Sequence, residues 1–214
     1  MRNQNQPVVV EGYPFIGLFA FVTLVFSLLE WSFLAVIFLL LTLFTVYFFR
    51  NPDRTIPQDD NIVVAPADGK VVYVGKVRED RFLHEEVYKV SIFMSVFNVH
   101  VNRVPVSGTV LDQFYTKGGF INASLDKAST ENEQAGMLIE DSHKNKFLVV
   151  QIAGLIARRI VTYPITGAVL ERGQRYGLIR FGSRVDLYMP ANVQLQVSLG
   201  DRCVGGETIL SRLG

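Results

Sequence analysis

Hydrophobic and polar positions divide the chain into two regions with different periods. Between Tyr13 and Phe49 nearly every position is apolar, and the only charged residue is Glu30. A run with no polar face belongs in a core or a bilayer, not on a solvated helix surface. As one helix it would extend roughly 55 Å, against a hydrocarbon layer of about 30 Å. One span does not use up that length and two are slightly cramped. The pattern therefore predicts a tight helical hairpin, Phe15–Leu29 and Phe33–Phe49, turning at Glu30-Trp31-Ser32, with Trp31 suited to an interface.

From Pro52 onward the period changes to short β-rich segments. Pro66-Ala67-Asp68-Gly69-Lys70-Val71, Pro105-Val106-Ser107-Gly108-Thr109-Val110 and Pro164-Ile165-Thr166-Gly167-Ala168-Val169 share the phrase P-x-x-G-x-V. Proline fixes φ ahead of such a turn, and glycine supplies positive φ where it is needed. Three strand–turn–strand copies at irregular spacing predict a barrel or sandwich and exclude a solenoid. Further strands are expected at Tyr88–Phe93, Phe147–Ile152, Arg159–Tyr163 and Gln194–Ser198. The polar stretch from Ser124 to Lys146 reads as a loop with a short helix or hairpin. In Ile179–Pro190 the alternation of a half-buried strand is interrupted by Gly182-Ser183, a weak point in an otherwise well-patterned segment. The expected organisation is a membrane hairpin over 1–51 and a mostly-β domain of barrel-sandwich, lipoyl-like type over 52–214.

Charge changes this picture little. The formal net charge of +1 offers no field for nucleic acid. Cys203 is the only cysteine, which excludes a disulfide framework and a thiolate metal site. No small-residue cleavage site follows the apolar run, so it reads as an anchor and not as a secretory signal. Arg2 before it and Arg50, Arg54 and Lys70 after it place the β domain in the cytoplasm.

Few residues offer chemistry. His84 and His143 lie in charged turns and read as solvated surface. His100 ends an apolar run and precedes a PxxG turn, as either a satisfied core histidine or a base. Asp68 is ordinary turn chemistry taken alone. Ser183 needs a neighbouring base to become a nucleophile. An Asp, a His and a Ser from different strands can converge as a triad, which spacing alone does not prove. No metal-ligand spacing and no phosphate-binding glycine loop is present in the sequence.

Four segments, in order behind a membrane hairpin, resemble the pyruvoyl-dependent phosphatidylserine decarboxylase family in its short bacterial form. They are Phe48-Phe49-Arg50-Asn51-Pro52-Asp53-Arg54, Ala65-Pro66-Ala67-Asp68-Gly69, Asn98-Val99-His100-Val101-Asn102-Arg103-Val104-Pro105 and Phe181-Gly182-Ser183. Two positions depart from the pattern. Some members carry a second histidine where this chain has Phe97, and Arg184 follows the Gly-Ser pair where others have Thr or Ser.

The resemblance implies that the chain is a self-cleaving proenzyme. Ser183 would attack the Gly182 carbonyl, and elimination would leave a large chain, 1–182, and a small chain, 183–214, blocked by a pyruvoyl group made from Ser183. That cofactor would form a Schiff base with a serine phospholipid in the membrane and accept the electrons released as CO2 leaves, giving the ethanolamine lipid. His100 would serve as base in maturation and as proton donor in turnover, with Asp68 orienting it. The implied location is the cell inner membrane, with the catalytic domain cytoplasmic.

Other readings stay open at this stage. The β phrases also resemble lipoyl or biotinyl carrier and adaptor modules, with Leu125-Asp126-Lys127-Ala128 as the modification site. A serine headgroup on a different lipid backbone would suit the same chemistry. Arg158-Arg159 would bind the phosphate or face solvent.

Overall fold

The computed structural model describes residues 6–123, 128–155, 159–180 and 183–214. Two compact units emerge, Met1–Asp53 and Arg54–Gly214.

In the first unit a 3-10 turn, Val10–Gly12, leads into helix α1, Tyr13–Leu28, and helix α2, Ser32–Phe48. The connection turns through Glu30 at φ 58°. The two helices pack through aromatic rings, with Phe38 centred 6.3 Å from Phe19 and 5.4 Å from Phe26. Outward-facing Leu18, Phe21, Leu24, Phe33 and Leu40 remain exposed. The hydroxyls of Thr23, Ser27, Thr42 and Thr45 each donate to the carbonyl one turn back, at 2.7–2.9 Å. That satisfies their polarity within the helix, as an apolar surrounding demands. The Val10–Leu28 segment is long and apolar enough to cross a membrane, and Ser32–Phe48 is a shorter apolar helix.

The second unit is mostly β, as expected. Its strands are β1 Ile62–Val64, β2 Gly69–Glu79, β3 Glu85–Met94, β4 Val101–Arg103, β5 Gly108–Thr116, β6 Gln134–Glu140, β7 Lys146–Ala153, β8 Arg159–Thr162, β9 Val169–Leu170, β10 Arg175–Arg180, β11 Ser183–Pro190, β12 Gln194–Leu195, β13 Arg202–Cys203 and β14 Ile209–Arg212, with a short helix α3, Ala128–Glu131. Eight strands form one antiparallel sheet in the order β13-β2-β3-β11-β7-β6-β5-β9, and two three-stranded sheets follow the orders β1-β14-β12 and β4-β10-β8. One apolar core joins all three, with Val71, Ile92, Met94, Met137, Ile139, Val149 and Val185 from the long sheet and Val63, Ile179 and Leu210 from the short ones.

The unit is built twice over. Val64 N donates to Pro105 O at 3.0 Å, and Arg103 N donates to Pro66 O at 2.8 Å. Each of these PxxG turns thus accepts a bond from the strand leading into the other. Gly200 N donates to Val71 O at 2.9 Å just as Gly167 N donates to Val110 O at 2.8 Å. β13 lies beside β2 as β9 lies beside β5, and both β2 and β5 bulge at the same place, after Val71 and after Val110. β14 crosses between β1 and β12 as β10 crosses between β4 and β8.

This duplication corrects the reading of three equivalent phrases. The turns at Pro66 and Pro105 are mates, whereas the one at Pro164 matches Val197–Gly200, which has no proline. The glycines differ too. Gly167 and Gly200 adopt positive φ, 85° and 97°. Gly69 and Gly108 do not. A Cβ on either would lie 2.2 Å from Phe93 O or 2.3 Å from Glu140 O, so glycine is required there because two backbones touch.

Three other expectations change. Ile179–Pro190 is not one strand, because its two arms belong to different sheets, β10 and β11. Within the polar stretch, Gln134–Glu140 is a core strand, since Ala135, Met137 and Ile139 all face the main core. The expected Gln194–Ser198 strand shrinks to Gln194–Leu195.

Candidate active site

Ser183 is the first residue of β11, a central strand of the long sheet, and pairs with Met94 of β3 and Ala153 of β7. It is fully buried, and its Oγ has no hydrogen-bond partner among the described residues. Burying a hydroxyl without a partner costs about 1–3 kcal/mol, which marks it as a site needing explanation. The partner residue of the expected cleavage, Gly182, lies outside the described residues, as does Phe181.

His100 lies in the segment between β3 and β4 and is buried. Its Nδ1 lies 3.0 Å from Asn98 O. A carbonyl can only accept, so Nδ1 carries the hydrogen and the basic lone pair falls on Nε2. The turn is held by Asn98 itself, whose Oδ1 accepts from Ser95 N at 2.9 Å and Ser95 Oγ at 2.8 Å.

Beneath this turn runs a polar chain through the core. Thr162 Oγ1 donates to Gln151 Oε1 at 2.8 Å, and Gln151 Nε2 donates to Asn102 Oδ1 at 2.8 Å. Asn102 Nδ2 then reaches Met94 Sδ at 3.5 Å. Gln151 and Asn102 are both buried, and the chain ties β8, β7 and β4 to the strand opposite Ser183. Sequence reading passed over Gln151. A lone amide inside the apolar run Phe147–Ile152 was its signal.

Asp68 sits in the first PxxG turn. Its carboxylate accepts from Arg54 Nη2 at 3.0 Å and 2.8 Å, and Oδ1 also accepts from Gly205 N at 2.8 Å. Among the described residues it makes no hydrogen bond to His100, so the expected triad is not assembled in this arrangement. Asp68 and Asn98 nevertheless line one cavity of about 560 Å³. Arg54, which the sequence offered as a flanking cation and as the end of the first family-like segment, is therefore the ion-pair partner of Asp68. Cys203 lines the same cavity, and burial, with Asp201 and Asp68 nearby, pushes its thiol up to about 11. It stays a thiol at neutral pH and does not compete as a nucleophile.

Arg184 is engaged in the interior and is not among the residues that line this cavity. Its Nε lies 2.8 Å from Asp186 Oδ1, its Nη1 donates to Ala123 O at 3.0 Å, and its Nη2 contacts Ser129 Oγ. Lys89 Nζ completes the cluster 2.9 Å from Asp186 Oδ2. The residue that departs from the family pattern after the Gly-Ser pair is thus paired with Asp186 in the interior. Burial, and after it the Asp186 carboxylate, holds the neighbouring Tyr188 hydroxyl well above its ordinary range, against a smaller opposing effect of Arg184.

His84 and His143 are exposed in loops and Arg159 faces solvent, while Lys127 and Arg158 lie outside the described residues.

The sequence profile of a family described as "Phosphatidylserine decarboxylase" matches residues 41–211. Proteins named "Phosphatidylserine decarboxylase proenzyme" are similar over the whole length of both chains. The one from Syntrophotalea carbinolica is 65% identical over 213 residues, covering 100% of each chain. That from Geotalea uraniireducens is 59% identical over 213 residues, and that from Geobacter sulfurreducens 54% over 218, again covering 100% of each.

Proposed function

The chain belongs to the phosphatidylserine decarboxylase family, and from that premise we propose that it is a proenzyme that cuts itself at Gly182–Ser183 and then decarboxylates phosphatidylserine to phosphatidylethanolamine. The observation that carries this is the Ser183 hydroxyl, buried and without a partner at the head of a central strand.

His100 takes the Ser183 proton on Nε2 and the hydroxyl adds to the Gly182 carbonyl. Collapse with loss of the amide nitrogen moves the acyl group from N to O. Removal of the Cα proton then expels the Gly182 carboxylate and leaves a dehydroalanine at 183. Water converts that residue to a pyruvoyl group and ammonia. The products are chains 1–182 and 183–214.

The site fits such a group. Residue 183 is fully buried, and no hydrogen bond from the described residues already commits its side chain. When present, a pyruvoyl ketone supplies a carbonyl that condenses with the substrate amine and accepts the electron pair released with CO2. The chain's own residues do the rest. His100, relieved of the serine, handles the proton at the substrate carbon. Asp68, on the cavity wall it shares with Asn98, supplies a negative charge that favours the protonated imidazole.

The apolar α1 and α2 bring the enzyme to the bilayer that holds its substrate, the inner membrane, with the cations at Arg50 and Arg54 keeping the β unit cytoplasmic. The carrier reading depends on Lys127 and gains nothing from the family match.

Intact mass and a denaturing gel on the purified full chain test the proposal. Two chains divided between 182 and 183, the smaller carrying pyruvoyl, are expected. A single chain of full mass that still decarboxylates phosphatidylserine would overturn it.

A further inference from the structure

The cavity of about 560 Å³ beside Asp68 has two cations on its wall, Lys70 and Arg202. They are direct cross-strand neighbours in the β2–β13 pair. Lys70 in turn lies opposite Phe93, and Phe93 opposite Arg184, the residue after Ser183. Strand spacing puts the Lys70 backbone about 10 Å from that of β11. Directly paired residues share a face, so Lys70 stands on the Arg184 face. A headgroup held there reaches residue 183 around the end of the sheet, where Asp68 and Asn98 line the cavity.

Like charges directly opposite in a sheet destabilise it. Both side chains are exposed, and among the described residues neither forms an ion pair. The nearby acids are committed elsewhere. Asp68 is held by Arg54 and Gly205 N, and Asp201 Oδ2 accepts from Ser198 N at 2.8 Å.

The duplicated fold supplies its own control. In the other half, Thr109 and Val169 occupy the places of Lys70 and Arg202 and face each other in the same register. Ser107 stands where Asp68 stands, its Oγ accepting from Arg172 N at 3.0 Å as Asp68 Oδ1 accepts from Gly205 N at 2.8 Å. The architecture therefore needs no charge at these positions. Only the half whose PxxG turn carries Asp68 has the paired cations.

We infer that Lys70 and Arg202 form a phosphate-binding subsite that receives the phosphodiester of the lipid headgroup. This rests on the decarboxylase reading. The repulsion between the two cations is relieved when an anion bridges them. Lysine serves as a point charge and the Arg202 fork is free to take two phosphate oxygens. With the phosphate anchored there, the headgroup's amine points along the cavity toward Asp68, Asn98 and the strand end that carries residue 183.

Two arms test the subsite. In the first, inorganic phosphate and glycerophosphoserine are titrated by calorimetry against the full-length Ser183→Ala chain in detergent, with and without Lys70→Ala/Arg202→Ala. Binding of both probes is expected to fall at least tenfold in the double variant, and serine methyl ester to be unaffected. Loss for glycerophosphoserine alone would assign the site to a headgroup; loss for inorganic phosphate too marks a general phosphate site. Unchanged binding of both would overturn the inference.

In the second arm the matured enzyme is assayed on phosphatidylserine in mixed micelles. KM should rise about tenfold for each cation removed, the scale of one charge-assisted contact. Chain cleavage should proceed as in wild type, and Thr109→Ala/Val169→Ala should leave KM unchanged. Wild-type KM in the double variant would sink the subsite. A wild-type chain that neither matures nor decarboxylates would instead defeat the decarboxylase reading, while leaving the phosphate titration to stand or fall by itself.

Discussion

Arg54 Nη2 grips the Asp68 carboxylate at 3.0 and 2.8 Å, and both side chains are largely buried. Asp68 thus has two duties, as an acceptor that caps Gly205 N and as the partner of a cation. Its counterpart Ser107 performs only the first. Asp68→Ser should therefore keep the turn and the fold, at a lower thermal midpoint because the largely buried Arg54 loses its counter-charge, and mature slowly. Arg54→Ala should slow self-cleavage roughly tenfold, the scale of one charge-assisted hydrogen bond, and Arg54→Lys should recover part of it. Time courses on denaturing gels read this out. Wild-type cleavage rates in both Asp68→Ser and Arg54→Ala would exclude this pair from maturation.

Arg184, Lys89 and Asp186 place two cations around one carboxylate in the interior. Removing one partner of such a cluster leaves an uncompensated buried charge, at a cost of about 3–5 kcal/mol. Asp186→Ala should consequently unfold at clearly lower denaturant than wild type and give little matured chain. Arg184→Met with Asp186→Leu should be tolerated far better than Asp186→Ala alone. A chemical denaturation series checks the ordering, and equal midpoints for all three proteins would contradict it.

Much of the fold was legible because it is written in local periods. The apolar run with Glu30 at its centre announced a helical pair, and the mates Pro66–Gly69 and Pro105–Gly108 announced a β repeat. What escaped was set by tertiary contact. Gly69 and Gly108 look like turn glycines in sequence, and only the approach of Phe93 O and Glu140 O shows that they are packing glycines. The break at Gly182-Ser183 was visible, but not that its arms join different sheets. Met137 and Ile139 were hidden by polar neighbours. Ser183, His100 and Asp68 were named through resemblance. Gln151 and the pairing of Arg54 with Asp68 were not, because both depend on residues elsewhere in the chain.

The close approach at those two glycines gives a paired prediction. Gly108→Ala and Gly69→Ala each push a Cβ into a backbone carbonyl that cannot yield without breaking the ladder. Both should destabilise by about 2–4 kcal/mol, in the range of overpacked or strained sites. Gly69→Ala should also impair self-cleavage, since it shifts the turn carrying Asp68. Gly108→Ala lies in the other half and should mature normally once folded. Equal maturation defects in both would mean that cleavage reports stability alone.

Cys203 offers a check by pH. Its thiol is held up at about 11 by burial and two nearby carboxylates. The folded state favours the neutral form, so this contribution to stability is complete below the unfolded thiol's range. It is lost as pH rises toward about 11. Iodoacetamide at pH 8 should leave the folded protein unlabelled and label it fully in urea, with activity unchanged by the reagent. Rapid labelling of the folded chain at pH 8 would show the thiol to be exposed and reactive.

The last prediction concerns the order of events at Ser183 and His100. If Ser183 Oγ is the nucleophile, Ser183→Ala must remain a single chain with no activity, because no other residue can become the ketone. Ser183→Cys and Ser183→Thr should cleave slowly, since a thiol or a secondary hydroxyl can make the same N-to-O or N-to-S shift. His100→Ala should stay largely uncut as well, because the hydroxyl then has no base aligned on it. His84→Ala and His143→Ala alter only exposed loops and should mature like wild type. His100→Gln is the sharper variant, since its amide can still donate to Asn98 O and so hold the turn without offering a basic nitrogen. It should be folded, with a near-native thermal midpoint, and uncut. Cleavage of His100→Gln at the wild-type rate would remove the imidazole from maturation and leave Ser183 to be activated by some other group.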